Sequence, residues 1–433
     1  MVILHKLGSV LEFICQPAAL KVLSFRRWHP TLTDAPNLAC KVALFFICMY
    51  IGFTIKEQSM SQQAVKPLGA LKSILTLFGL ATLLACLFAI AGCGASNQVT
   101  PPTTATAQGQ LYVAVPSITG GGDSAVYRFS DPSTLTGAAT PMATVTGSLT
   151  QLAAPVIALD KTADRLFALV DSGPTSGAIL VFDHASGKNG NVAPDRVIAG
   201  SATLIQTIGA FAVDSTRNLL YAGASFDPDG HLDILVFRNA STLNGNVAPA
   251  AVLKFGVPGI GPRDMVLDEA NDRLFVLSNG EEIQVFDNAS TLASGQMVPN
   301  RAISGPNVGL VAPVHIALDT AGRLLVSNLA APSAPNSINI YANAATANGN
   351  VAPVAMISGS GTGLDVSAPG NLAVYTGPGA SVGGDLYVSI ELGKVLVFSN
   401  IAAANGNVIP ARTFTVTTNS GGFEFGLSAD ASR

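Results

Sequence analysis

Four polar residues recur at one position of an otherwise apolar pattern: Asp264, His315, Asn371 and Glu424. Asp264 and His315 each stand four residues ahead of an aspartate, Asp268 and Asp319, and the other two align with them. Carboxylates, an amide oxygen and one imidazole suit a divalent cation, Ca2+ or Zn2+, or a polar small molecule. A sparser acidic loop holds Asp227, Asp229 and Asp233 beside Gly230 and His231. It is a candidate Ca2+ loop, although Asp-Pro-Asp-Gly also makes an ordinary turn. His184 reads as an exposed loop residue. The chain has no phosphate-binding glycine loop, no His-Glu-x-x-His and no Gly-x-Ser-x-Gly, and no catalytic residue is assigned. All five cysteines (15, 40, 48, 86 and 93) lie in the first 93 residues. Beyond them a disulfide framework, a zinc finger and a cysteine nucleophile are excluded.

Cys93 has chemistry of a different kind. Residues 73–92 form a 20-residue apolar run behind Lys66 and Lys72, ending in Ile90-Ala91-Gly92-Cys93. A basic start, an apolar stretch and small residues before a cut site make a secretory signal. With cysteine directly after the small pair, the segment resembles a bacterial lipoprotein signal whose lipobox is Ile90, Ala91, Gly92 and Cys93. The resemblance implies that Cys93 is acylated and becomes the mature N-terminus, since two or more acyl chains anchor stably where one does not. An earlier apolar run, residues 42–55, has 14 residues, short of the roughly 20 a spanning helix needs. Met60 lies 33 residues before Cys93. Residues 1–59 therefore read as an upstream extension without a domain, 60–93 as the signal peptide, and 94–108, rich in Ser, Asn, Thr, Pro and Ala, as a flexible linker.

Elements that could position the polar residues come from a repeat. Asn189-Gly190-Asn191-Val192-Ala193-Pro194 returns at 244–249, at 348–353 and, with Ile for Ala, at 405–410. Degenerate copies end at Pro141 and Pro299, and the six prolines are spaced 50 to 57 residues apart. Each unit carries an apolar run ending in Asp, a turn, a second apolar run beginning with Leu, and a third ending in an aromatic. A fourth follows the Asn-Gly loop. Runs of four to six Val, Ile, Leu and Phe bounded by Gly, Pro, Asn and Asp are strands. Four such strands per unit of roughly 54 residues predict an all-β chain, a six-bladed β-propeller of four antiparallel strands per blade over residues 109–433. Residues 425–433 match 157–165, a first strand, and residues 111–115 match 166–170, a second. The closing blade is therefore shared by the two chain ends, which removes the open edge.

The blade grammar (apolar pair, Asp, turn, Arg-Leu, and a strand ending Val-Phe) resembles the NHL-repeat and gluconolactonase-like (SMP-30-like) propellers. That resemblance implies a metal at the channel mouth, held by carboxylates and an Asn. The repeated Asp160, Asp214, Asp268 and Asp319 read as turn residues, and the Asn-Gly-Asn loops as tight turns of the scaffold. Connections between second and third strands, and the links between blades, break the pattern on the other face, where binding loops are expected.

Composition narrows the partners. Charged residues make up 12% of the chain, and beyond residue 93 it has 15 basic against 24 acidic residues, a net charge of −9. That is the wrong sign for nucleic acid. The expectation is a monomeric, lipid-anchored propeller at the bacterial cell envelope, periplasmic or at the cell surface. It serves as a non-catalytic scaffold for an envelope protein, a glycan or a small molecule. The alternative is a metal-dependent lactonase or hydrolase using Asp264, His315, Asn371 and Glu424.

Overall fold

In the computed structural model the chain divides into two units, Met1–Thr104 and Ala105–Arg433. Described residues run from 109 to 433, apart from 118–123, 174–175, 208, 227–229, 231, 256–259, 333, 366 and 417–425. The lipobox, the linker, Asp227, Asp229 and Glu424 lie outside them.

Apolar runs of this length, apolar on both faces, need cover on both sides. The chain provides it by stacking sheets around an axis. Six sheets of antiparallel four-strand meanders form the six blades. Blade 2 holds Val156–Asp160, Arg165–Gly173, Ser176–Asp183 and Arg196–Ala199. Blade 3 begins with Phe211–Asp214, blade 4 with Pro262–Asp268, blade 5 with Pro313–Leu318 and blade 6 with Pro369–Tyr375. Each of these innermost strands touches the next around the ring. The buried apolar residues fall into six clusters, one between each pair of neighbouring blades. Only short 3-10 turns interrupt the strands among the described residues.

The ring closes in blade 1. Gly426–Asp430 pairs with Gln110–Val115, which continues into Ala125–Ser130 and Ala143–Thr146. Aromatic rings fill the seam between blades 6 and 1: Phe129 and Phe414 lie 5.9 Å apart, and Tyr375 meets Tyr387 edge-on at 6.3 Å. Each buried ring contributes about 1.5–3 kcal/mol. The register corrects the sequence alignment of the C-terminus by two residues. Asp430 lies opposite Gln110 as Asp160 lies opposite Arg165, so Gly426, not Glu424, is the counterpart of Val156.

The Asn-Gly-Asn loops do more than turn the chain. Gly190 of blade 2 forms a parallel bridge to Val145, in the outer strand of blade 1. Gly245, Gly349 and Gly406 do the same to Ile198, Ile303 and Ile357. The flanking asparagines complete the clasp: Asn189 Oδ1 accepts from Thr144 N at 2.9 Å and Asn191 Oδ1 from Leu149 N at 2.8 Å. The degenerate copies keep the backbone contact, Gly295 beside Leu253 and Gly137 beside Phe414. All six blade interfaces are thereby laced at the rim.

Candidate functional site

Three of the four aligned polar residues meet. Asp264, His315 and Asn371 stand near the start of the innermost strands of blades 4, 5 and 6. Each is the second residue after a proline: Pro262, Pro313 and Pro369. In all three strands the ladder shifts register between that proline and the residues that follow. Such a bulge re-aims a side chain and frees backbone groups from the ladder.

Asp264 uses both oxygens. Oδ1 accepts from Met265 N at 2.8 Å, and Oδ2 accepts from Ile316 N of blade 5 at 2.8 Å. His315 Nδ1 lies 3.3 Å from Asp264 Oδ2 and 3.3 Å from Asn371 Nδ2. Asn371 Oδ1 accepts from Leu427 N of blade 1 at 3.2 Å. A ring nitrogen either donates or accepts. Asp264 Oδ2 can only accept and Asn371 Nδ2 can only donate, so Nδ1 satisfies the carboxylate in one tautomer and the amide in the other. Nε2 is buried without a hydrogen-bond partner among the described residues.

The chain of contacts ties four consecutive inner strands together. Innermost strands have no further neighbour toward the axis, so their N–H groups need other acceptors. Asp264 and Asn371 supply two. Chemically, the arrangement is an imidazole held between a carboxylate and an amide, with a buried Nε2 that no described residue satisfies. Among the described residues no three His, Cys, Asp or Glu side chains gather as a cation site. Glu424 lies outside the described residues, and Gly426 occupies the fourth aligned position. Of the acidic loop, Asp233 is buried in Leu232–Arg238. His184 is exposed and left-handed (φ 54°), where the other blades place Asp131, Asn239, Asn288, Asn343 and Asn400 in the same conformation. Its role is that of a turn residue.

Two participants escape a reading of the sequence. Ser327 Oγ accepts from His315 N at 3.1 Å and donates to Gly370 O at 3.1 Å, while Ser389 Oγ accepts from Asn371 N at 2.8 Å. Both are fully buried. Their signal was a hydroxyl ending an apolar run, together with the Pro-x-polar triplet opposite.

No family model and no curated protein matches this chain. Among solved structures it is similar to a chain of the nidogen/laminin complex, with TM-score 0.46 and 12% identity over 75% of this chain and 99% of that one. It is also similar to the β-propeller domain of Cps50 (Swd1) from Myceliophteria thermophila, with TM-score 0.40 and 10% identity over 71% and 86%. The fold assignment rests on the six sheets themselves.

Proposed function

We propose that this chain is a lipid-anchored binding scaffold at the bacterial cell envelope, a rigid disc held by Cys93 and presenting its blade-link face to an envelope protein, a glycan or a small molecule. The observation that carries the reading is the order of parts: a lipobox-like Ile90-Ala91-Gly92-Cys93, a 15-residue linker, then a ring that consumes the rest of the chain. A linker of that length reaches at most about 50 Å, enough to let the disc stand clear of headgroups. The ring supports a binding role because its strands and clasps are repetitive while its link-side loops are not. Rigid scaffolds with divergent loops are where recognition is built.

Radiolabelled palmitate fed to expressing cells is expected to label the chain and to follow it into the membrane fraction. Cys93→Ser removes both. An unlabelled wild-type chain overturns the anchor. Purified protein, assayed for bound metal and for hydrolysis of a simple lactone with Asp264→Ala as control, addresses the non-catalytic reading. Metal-dependent turnover lost in Asp264→Ala replaces it with the hydrolase reading of the resemblance.

A further inference from the structure

Among the described residues blade 1 contains a buried cation that the other blades lack. Arg128 lies opposite Ala143 in the ladder. The equivalent pairs elsewhere are Val181 with Arg196, Val285 with Arg301 and Val397 with Arg412, so there the aliphatic and basic members are exchanged. Arg196, Arg301 and Arg412 each pair with an aspartate: Asp183, Asp287 and Asp385. Blade 1 has Ser130 and Gln110 at the corresponding places.

Arg128 is only 8% exposed and forms no ion pair among the described residues. Its Nε has no hydrogen-bond partner among the described residues. It borders a cavity of about 10 Å3, lined also by Tyr112 and Lys188, but neither offers a counter-charge. Tyr112 donates to Gln110 Oε1, and Lys188 is paired with Asp195. The acceptor that Arg128 does have is the thioether of Met142, with Nη1 to Sδ 3.2 Å. Thioether sulfur is a weak acceptor, and a buried guanidinium without a strong one is costly. Met142 is itself 62% exposed, against 42% for Met356 and 5% for Met265.

We infer that Met142 is an oxidation site built to be stabilised as its sulfoxide by Arg128. The oxidant is a hydroperoxide. The sulfur lone pair attacks the terminal oxygen and an S–O bond forms as the O–O bond breaks. The displaced oxygen takes the proton and leaves as water or alcohol. Sulfide is oxidised to sulfoxide by two electrons and the peroxide is reduced. The new S=O is a strong, partly negative acceptor beside a guanidinium that has only the thioether among the described residues. Oxidation of a methionine, usually damaging to packing, here tightens the outer strand of blade 1.

The test treats the full chain with graded hydrogen peroxide, maps sulfoxide by peptide mass spectrometry and measures thermal unfolding in a Met297→Leu, Met356→Leu background. Conversion of Met142 is expected to raise the melting point by about 1–3 °C. Methionine sulfoxide reductase reverses the rise. Arg128→Val, which installs the aliphatic residue the equivalent positions carry, keeps the fold and removes the rise. Three results overturn the inference: a fall in melting point on oxidation, the same rise in Arg128→Val, or a Met142 that stays reduced where Met356 in the native sequence is converted.

Discussion

At the scale of single residues, charge is spent on holding turns. Asp287 takes Arg301 on both oxygens, at 2.7 and 2.8 Å, and Arg273 on Oδ1 at 2.6 Å. The Arg301 hydrogen bonds are the main cause of a carboxyl held down at about 2; burial works against them and Arg273 adds to them. A depressed carboxylate contributes stability above its unfolded value of 3.8 and loses it as pH falls toward 2. Asp287→Asn is therefore expected to cost about 1–2 kcal/mol at neutral pH and to flatten the fall in unfolding free energy between pH 4 and 2. Urea unfolding across that range checks it. The turn role of the repeated aspartates was legible, because short side chains beside a turn bond the backbone locally. Asp319, for example, accepts from Ala321 N and Arg323 N. The meeting of Asp264, His315 and Asn371 was legible as a shared register. The bulges that aim them were not, since a bulge is a property of a pair of strands.

Strands and loops follow the same division. Alternating turn residues and short β-branched runs announce the strands. The clasp was invisible, because the partner of each Asn-Gly-Asn loop lies about 45 residues earlier in the chain. Local chemistry explains why the central glycine adopts positive φ, and it does so at Gly245 (φ 78°). It does not explain the second glycine. Gly200 has φ 121°, and a Cβ there would stand 2.5 Å from Asn246 Oδ1 of the next blade. Around Gly245 there is open space. Gly245→Ala is thus expected to cost about 1 kcal/mol from backbone strain alone. Gly200→Ala should cost about 2–4 kcal/mol, because it also displaces the asparagine and opens the clasp. Comparing the two unfolding curves decides whether the asparagine contact adds to the strain.

For the molecule as a whole, the decisive event is closure. The last strand contributes Leu427 and Ala429 to the seam between blades 6 and 1. Deleting residues 426–433 leaves Gln110–Val115 with an open edge and uncovers the innermost strand of blade 6, Pro369–Tyr375, against which the last strand packs. The expected outcome is loss of the single cooperative transition in calorimetry, with aggregation followed by light scattering. A deletion that melts like the full chain would show that the ring tolerates a missing strand.

Read by itself, the chain of residues determined the number of blades, the strands in each and the joining of its two ends, because periodic burial and turn chemistry are written in local order. Tertiary structure alone decided the two-residue register of the closing strand, the lacing of neighbouring blades by asparagine and the isolation of Arg128. These depend on which backbone groups and charges from distant segments are left needing partners once the sheets have stacked.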